Sequence, residues 1–221
     1  KEGFYKDCII KRTLKYLEIE NNVKVKINIK KNIPVQGGLG SASTNAAALI
    51  IGLNKLNLIK INHDYKFYTS LGADIPIFLF KQNCLVTGLG DELHKQQFPK
   101  YFFLLIKPNI NFSTKKMYED LSKKSYFNLK NIDNDKINII NDDDNGNDFE
   151  RIAIEENLEI SKILQYISNL ENCIFARMTG TGSCCYAAFE SLEFAEKGKS
   201  QFNKFYPKLW ATIVENNMYK S

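Results

Sequence analysis

Residues 34–45 read Pro-Val-Gln-Gly-Gly-Leu-Gly-Ser-Ala-Ser-Thr-Asn and concentrate three glycines, two serines and a threonine in one short stretch. Before it, apolar and polar residues alternate over 23–29, which predicts a strand. After it, the apolar run 46–51 predicts a helix that begins near Ser43 or Thr44. Glycines let backbone N–H groups approach a ligand, and a helix start offers unpaired N–H donors to an anion. The order strand, glycine loop, helix therefore predicts a phosphate-binding loop.

Two other known glycine loops fit this stretch poorly. A Walker loop requires Gly-Lys followed by Ser or Thr, and residues 34–45 contain no lysine. The dinucleotide fingerprint Gly-x-Gly-x-x-Gly would use Gly38 and Gly40, but Ser43 stands where its third glycine belongs. A tight turn followed by a helix N-cap is the simpler alternative, although a turn does not require so many small residues. We therefore favour an anion-binding loop.

The composition indicates a globular protein that is not built to bind nucleic acid or a membrane. The 221 residues, 44% of them hydrophobic, suffice for one large domain or two small ones. The net charge of +5 comes from lysines scattered along the chain, which suits anionic small molecules better than nucleic acid. No apolar run approaches the roughly 20 residues that span a bilayer, and the first residues do not resemble a signal peptide. We expect a soluble protein of the bacterial cytoplasm or a plastid, either a monomer or a homodimer.

The cysteines, histidines and acids form no convincing metal or disulfide pattern. The five cysteines include no Cys-x-x-Cys pair and are odd in number, so we predict small buried hydrophobic residues. His63 and His94 are isolated in polar surroundings, and we assign them no role. Residues 141–146 imitate the start of a calcium loop, but Ile152 occupies the position that needs a bidentate Glu. The cysteines are Cys8, Cys84, Cys173, Cys184 and Cys185.

A second motif, Leu-Gly-Ala-Asp-Ile-Pro over 71–76, sets one carboxylate among apolar residues. Asp74 is the only acid between Asp64 and Asp91. A carboxylate in such surroundings is unfavourable to bury unless it is hydrogen-bonded or functional. A cap or turn acceptor is the structural alternative. Next to a phosphate loop a general base is favoured, because transfer of a phosphoryl group to an alcohol must remove the hydroxyl proton.

The second half of the chain carries another glycine motif, Thr-Gly-Thr-Gly-Ser over 179–183. It is either a hairpin turn or a second loop that approaches an anionic ligand. Around it we predict an antiparallel sheet with helices on one face, after a domain boundary near Phe98. The predicted helices are 7–20, one from Asn62 or Asp64 through Leu71, one from Ser113 or Thr114 to Leu121, one capped by Asn147, one from 158 or 159 to 170, and 192–205. The predicted strands besides 23–29 are 84–86 with a turn at 88–90, 101–106, 184–189 and 209–214.

Together these motifs resemble the GHMP small-molecule kinases. Residues 34–43 are similar to the phosphate loop of that family, and 179–182 to its C-terminal glycine motif. Further similarity lies in 71–76 with Phe78, 88–91, Pro108 with Thr114, and 147–150, and the resemblance extends from about residue 7 to 214. It implies an α+β fold of two domains. The first, over 1–98, is an ATP-binding α/β domain like that of a small-subunit ribosomal protein, and the second, over 99–221, is a ferredoxin-like α+β domain.

The resemblance also implies an activity. It is ATP-dependent phosphorylation of the 2-hydroxyl of 4-diphosphocytidyl-2-C-methyl-D-erythritol, in the non-mevalonate route to isoprenoid precursors. Mg²⁺ is expected with ATP, but no residue is a confident ligand for it. Two alternatives stay open. One is another small-molecule kinase of the same family, of the homoserine or mevalonate type, and the other is a nucleotide-binding module without catalysis.

Site residues follow from the resemblance position by position. Asp74 matches the catalytic base and contacts the substrate, while Thr114 and Tyr118 match residues at the cytidine end, with the aromatic ring near the base. Gly180 and Gly182 are expected to line the substrate site. The residues expected to surround the ATP phosphates are Pro34, Gly37, Gly38, Leu39, Gly40, Ser41, Ala42, Ser43 and Thr44.

The sequence departs from the family pattern in two ways. Gln36, Ser41 and Ala42 stand where the family more often has glycine, but phosphate binding is expected to survive because backbone amides do the binding. The family also begins with a strand carrying Pro-Ala-Lys-x-Asn, whose lysine pairs with the catalytic aspartate, and a hairpin that contacts cytosine. Neither is found before Lys1. We therefore expect the sequence to lack a strand-rich segment of the first domain.

Overall fold

The computed structural model describes residues 8–22, 24–123 and 146–216. Contacts within the chain define two units. Among the described residues, the first unit contains 8–22, 24–32 and 40–99, and the second contains 33–39, 100–123 and 146–216. One boundary between the two units lies between Pro99 and Lys100. The assignment of 33–39 to the second unit was not predicted, and it divides the glycine loop between Leu39 and Gly40.

The first unit contains three α-helices and one hairpin within the described residues. The bounds are α1 Ile9–Tyr16, α2 Ser41–Lys55, α3 Ile75–Phe80, β1 Cys84–Thr87 and β2 Glu92–Lys95. The predicted amphipathic helix is confirmed as the shorter α1. The predicted hairpin is also confirmed, with β1 and β2 antiparallel.

Two predicted helix boundaries in this unit need correction. The helix after the glycine loop begins at Ser41, because Gly40 in a left-handed conformation is its N-cap, and not at Ser43 or Thr44. The helix predicted from Asn62 or Asp64 is a single 3₁₀ turn, Tyr65–Tyr68. Its Asp64 cap is as predicted, because the carboxylate accepts a hydrogen bond from the Lys66 N–H at 3.2 Å. A polar cap sets where a helix starts but not how far it continues.

The strand predicted over 23–29 is wrong for the residues that the structure describes. Residues 24–30 have no regular secondary structure. Their side chains, apolar and polar alike, line a groove with residues of α1 and α2, and Ile27 and Ile29 are 39% and 47% exposed. A strand also needs a hydrogen-bonded neighbour, and among the described residues no strand pairs with this segment. Among the described residues the alternation therefore corresponds neither to a β-ladder nor to a buried apolar face.

Burial in the first unit centres on one side of α2. Ala46, Ala47 and Ile50 of that helix have 2% exposure or less, and they pack against the residues around the 3₁₀ turn and α3. The small side chains of Ala46 and Ala47 let neighbouring segments approach the first half of the helix closely. The partners in this core are Tyr68, Leu71, Ile75 and Leu79.

The second unit is a four-stranded antiparallel sheet with helices on one face, as the sequence predicted. The strand order is β4-β5-β3-β6, and every neighbouring pair is antiparallel. The strands are β3 Phe102–Lys107, β4 Phe175–Met178, β5 Cys185–Phe189 and β6 Trp210–Glu215. The helices are α4 Thr114–Ser122, α5 Asp148–Glu156, α6 Leu158–Ser168 and α7 Leu192–Phe205.

One sheet face and the helices form the core of this unit. Leu104 lies opposite Ala187 in the ladder, and Ile106 lies opposite Cys185, so these four side chains share a face, and all four are fully buried. From α6, side chains three and four residues apart pack onto this face, as expected for one side of a helix. The fully buried members from the helices are Ala153, Ile160, Ile163, Ile167, Ala195 and Phe202.

Two sequence predictions remain. One concerns a segment that the structure does not describe, and the other concerns membrane-spanning helices. The start of the calcium-like segment and most of the polar stretch 122–148 fall outside the part of the chain that the structure describes. Among the helices that are described, none has the length and apolar character to cross a membrane.

Of the five cysteines predicted to be buried, only Cys184 and Cys185 are fully buried, whereas Cys8, Cys84 and Cys173 are partly exposed. Cys184 and Cys185 have no exposed surface, and burial raises the pKa of the Cys184 thiol to about 12 and that of Cys173 to about 11. A cysteine thiol in the unfolded chain ionises with a pKa near 9.0, whereas these buried thiols stay neutral to a higher pH. Their contribution to stability is therefore complete below pH 9 and is lost as the pH rises toward 12.

A Cys184→Ala variant tests this pH dependence. The wild type should lose about 1–2 kcal/mol more unfolding free energy than the variant between about pH 8 and about pH 10.5, because only the wild type carries this buried thiol. Urea unfolding of both proteins at the two pH values measures the difference. A difference that does not change with pH would contradict the prediction.

Candidate active site

The two glycine motifs of the sequence are bonded to each other within the second unit. Thr179 donates its hydroxyl hydrogen bond to the carbonyl oxygen of Gly38. The backbone N–H of Cys184 donates to Gly37 O at 3.1 Å, and that of Ser183 donates to Gln36 O at 3.4 Å. Residues 36–38 therefore run along the loop that connects β4 to β5, and the two motifs form one structure.

Gly38 is the tightest point of this contact. Its φ is +68°, which L side chains rarely adopt. A Cβ at this position would overlap the carbonyl oxygen of Thr179 and would lie 2.8 Å from the amide nitrogen of Gly182. The same closeness holds in the other direction, since a Cβ on Gly180 would lie 2.9 Å from Gly38 O. The glycines are thus required where the two loops meet.

The glycine loop continues into the first turn of α2 in the first unit. Gly40 is the N-cap, no acidic residue stands in the first turn, and no side chain caps the helix. The Thr44 N–H and hydroxyl both bond to Gly40 O, at 2.9 and 3.0 Å. Among the described residues no acceptor bonds to the N–H groups of Ser41, Ala42 or Ser43. A helix start with unbonded donors and no acid is suited to bind an anion.

Asp74 lies at the start of α3, in a segment that packs against this same helix start. A Cβ on Gly72 would be 3.7 Å from Ser43 Oγ, and a Cβ on Gly40 would be 2.8 Å from the Phe78 ring. Residues on both sides of Asp74 therefore touch the beginning of α2. Asp74 itself is exposed and occupies the N-cap position of α3, but its carboxylate makes no cap hydrogen bond. The structural alternative, a helix cap, does not account for this side chain.

Thr114 and Tyr118 lie on the first turns of α4, as predicted. Ser113 is the N-cap and accepts a hydrogen bond from the Lys116 N–H. The Thr114 hydroxyl is 3.3 Å from that of Thr181, so the helix start lies beside the second glycine motif. Tyr118 is 59% exposed. Its ring contacts the ring of Phe149, with 4.9 Å between the ring centroids and an angle of 72° between the ring planes.

The remaining predicted residues differ in accessibility. Ser41, Ala42, Thr44 and Gly180 are exposed, whereas Gly182 is buried. The other residues of the predicted phosphate loop are partly buried, namely Pro34, Gly38, Leu39, Gly40 and Ser43, or buried, namely Gly37. Exposed residues are available to a ligand, and the buried glycines shape the loop that presents them.

A buried lysine supports the second loop and was not identified from the sequence. Lys107, 6% exposed, donates hydrogen bonds to Pro108 O at 2.7 Å, Ile110 O at 2.6 Å and Asn111 Oδ1 at 3.2 Å. The Ser183 hydroxyl donates to the same Ile110 carbonyl. Burial lowers the pKa of Lys107. The sequence signal was a lysine at the end of an apolar strand and directly before a proline, a place where a charge is unusual.

No cluster of three or more His, Cys, Asp or Glu that could hold a metal ion occurs in residues 8–22, 24–123 and 146–216. Mg²⁺ is commonly bound by phosphates and few protein carboxylates, and such binding does not require a cluster of this kind.

Comparison with known proteins places the chain in a family. The model for the GHMP kinases N terminal domain matches residues 8–82, and the model for GHMP kinases C terminal matches 128–208. A 4-diphosphocytidyl-2-C-methyl-D-erythritol kinase of Francisella tularensis subsp. novicida is 36% identical over 202 residues, which cover 90% of this chain and 69% of that protein. The chain belongs to the GHMP kinase family. It is therefore an ATP-dependent small-molecule kinase, as the motifs predicted.

Solved structures of other kinases have the same fold as this chain. The crystal structure of a 4-(cytidine 5'-diphospho)-2C-methyl-D-erythritol kinase matches with a TM-score of 0.76 at 20% identity, over 96% of this chain and 80% of that one. The Methanococcus jannaschii mevalonate kinase matches with a TM-score of 0.60 at 19% identity, over 94% of this chain and 73% of that one. At these identities the matches establish the α+β fold, which confirms the predicted fold class.

Proposed function

We propose that this GHMP kinase transfers the γ-phosphate of ATP to the 2-hydroxyl of 4-diphosphocytidyl-2-C-methyl-D-erythritol, a step of isoprenoid precursor synthesis by the non-mevalonate pathway. The observation that carries the proposal is the start of α2, where unbonded N–H donors and the exposed carboxylate of Asp74 occur in adjoining segments. A relative named for this substrate, 36% identical, supports the choice of alcohol.

The phosphates of ATP bind to the glycine loop and the first turn of α2. The N–H groups of Ser41, Ala42 and Ser43 donate to phosphate oxygens, and the exposed Thr44 side chain stands at the same edge. The backbone path of the loop is set by Gly37, Gly38, Leu39 and Gly40, and the loop begins at Pro34. Mg²⁺ fits this arrangement as an ion carried by the phosphates, and when bound it neutralises charge on the β- and γ-phosphates.

Asp74 acts as the general base. Its carboxylate accepts the proton of the substrate hydroxyl while the hydroxyl oxygen forms a bond to the γ-phosphorus and the bond to the β-phosphate oxygen breaks, which releases ADP. Phosphoryl transfer passes through a loose transition state, so the proton moves late and positioning contributes most of the catalysis. The lack of a cap hydrogen bond leaves the carboxylate available for this role.

The cytidine end of the substrate binds in the second unit. The exposed Tyr118 ring, held from one side by Phe149, offers a face on which a pyrimidine can stack. The Thr114 hydroxyl and the exposed Gly180 backbone provide polar contacts beside it, and buried Gly182 shapes the loop. We further propose that 1–98 serves as the ATP-binding domain and 99–221 as the second domain, apart from the 33–39 segment described above.

A panel of alcohols tests the proposal against its alternatives. ATP-dependent ADP release is measured by a coupled assay with 4-diphosphocytidyl-2-C-methyl-D-erythritol, mevalonate and homoserine as acceptors. We expect turnover with the first only, at a kcat/KM at least about 100-fold above the others. Turnover with mevalonate or homoserine instead would assign another kinase of the family, and ATP binding without turnover on any alcohol would indicate a nucleotide-binding module.

A further inference from the structure

The turn before α5 holds the second glycine motif at two carbonyl groups. The side-chain amide of Asn147 donates hydrogen bonds to Met178 O at 2.9 Å and to Gly180 O at 2.8 Å. Its Oδ1 accepts a third bond from the Phe149 N–H at 3.0 Å and so caps the helix. One side chain thus joins the helix start to two backbone groups of the loop, more than thirty residues away along the sequence.

Two neighbours of Asn147 extend this connection. Glu150 accepts a hydrogen bond from the Met178 N–H at 2.5 Å, so Met178 is held at both its N–H and its carbonyl. Phe149 contacts the ring of Tyr118. Residues 147–150 therefore touch both the exposed end of the glycine motif and the aromatic ring that the proposed function assigns to the cytidine base.

Asn157 provides an internal comparison. It is the N-cap of α6, and its Oδ1 accepts from the Glu159 N–H at 2.9 Å, which matches the capping bond of Asn147. Within the described residues its amide donates no hydrogen bond to another loop. The two asparagines share the capping role, and only Asn147 also binds the glycine motif.

We propose that Asn147 is a positioning residue that fixes the Met178–Gly180 backbone for substrate binding. The expected kinetic effect rests on the proposed function, whereas the hydrogen bonds of Asn147 are independent of it. Gly180 adjoins Gly38, so a displaced Gly180 carbonyl would disturb the contact between the two glycine motifs. Two hydrogen bonds from one amide define the position of the loop better than one bond can, because they restrict both translation and rotation.

Asn147→Asp separates positioning from capping. Aspartate keeps an oxygen for the Phe149 N–H and is as good an N-cap as asparagine. It has no donor for the two carbonyls, and it sets a negative charge beside them. With two hydrogen bonds lost, we expect kcat/KM for 4-diphosphocytidyl-2-C-methyl-D-erythritol to fall between about 10- and 100-fold. Asn157→Asp is the matched control and should retain wild-type kinetics.

The kinetic pattern distinguishes positioning from a loss of fold. We expect the loss in Asn147→Asp to appear in KM for the alcohol and in kcat, with KM for ATP changed less than about threefold, because the N–H donors of α2 are untouched. A general structural defect would lower the active fraction and leave both KM values unchanged. Equal kinetics in Asn147→Asp and Asn157→Asp would overturn the inference.

Hydrogen exchange gives a second readout that does not depend on the substrate. Amides of residues 178–184 should exchange at least about 10-fold faster in Asn147→Asp than in Asn157→Asp or wild type, since the loop loses two of its bonds. Unchanged exchange there would overturn the inference even if the protein phosphorylates another alcohol. Failure of the wild type to turn over this alcohol would instead count against the proposed function.

A second variant replaces Asn147→Asp if that protein does not fold. Asn147→Ser keeps a capping oxygen and loses the amide that donates to both carbonyls, and we expect the same kinetic and exchange results from it.

Discussion

Replacement of Asp74 by Asn should lower kcat by about 10³-fold and leave ATP binding nearly unchanged. The amide keeps the size of the carboxylate but cannot take the proton of the substrate hydroxyl. The phosphate-binding N–H groups lie on the first turn of α2 and not on Asp74, so KM for ATP and the equilibrium affinity for ADP should stay within about threefold of wild type. Because the Asp74 side chain makes no cap hydrogen bond, the variant should also fold with wild-type stability.

Asp64→Asn is the matched control for this variant. Asp64 is likewise exposed and stands at an N-cap, of the 3₁₀ turn Tyr65–Tyr68, where asparagine can accept the same bond from the Lys66 N–H. Both variants remove one negative charge from the first unit, so any effect of charge alone should appear in both. Steady-state kinetics and calorimetric titration with ADP make the comparison. Near-normal kcat in Asp74→Asn would remove Asp74 from the mechanism.

Gly38→Ala should reduce both stability and activity, because an added methyl group has no room where the two glycine motifs meet. The backbone conformation is left-handed, and the Cβ would overlap Thr179 O and crowd the Gly182 backbone. We expect the free energy of unfolding to fall by about 2–4 kcal/mol, as strain and displacement of the loop add together. Displacement of the phosphate loop by about 1 Å is enough to lower kcat/KM for ATP by about 100-fold.

Gly52→Ala is the control for this substitution. Gly52 lies inside α2, and a Cβ there would meet no atom within 4 Å. Alanine should therefore stabilise the helix by about 0.5–1 kcal/mol and leave the kinetics unchanged. Urea unfolding should show stabilities that change in opposite directions, whereas ATP titration should show weaker binding for Gly38→Ala only. A Gly38→Ala protein with wild-type stability and KM for ATP would mean that the contact between the loops has no part in binding.

Much of the second unit could be predicted because its signals are local. The apolar run over 101–106 and the helix pattern over 192–205 each correspond to one element with nearly the expected bounds. Asn147 was identified as a cap from its residue type alone, and it does cap α5. In each case a short segment contains both the propensity and the boundary residue, so tertiary contacts had little to change.

The errors arose where the outcome depends on a distant partner. The segment 23–29 has the alternation of a strand, but pairing is decided by another segment, and residues 24–30 have none within the described structure. The 3₁₀ turn at Tyr65–Tyr68 has its cap, but the helix beyond it does not form. The supporting roles of Lys107 and of the Asn147 amide were missed for the same reason, since their acceptors belong to loops whose position the sequence does not state.

The sequence by itself determined the kind of chemistry. Closely spaced glycines before a helix and a lone acid in an apolar motif specify a phosphate site and a candidate base, because these properties depend on residue type and short spacing. Only the tertiary structure decided that residues 36–38 pair with the loop at 179–184 and that Asn147 donates to Met178 and Gly180. Each of these contacts ends on a backbone carbonyl, and a backbone carbonyl is the same at every position, so no sequence pattern identifies which one a distant donor will meet.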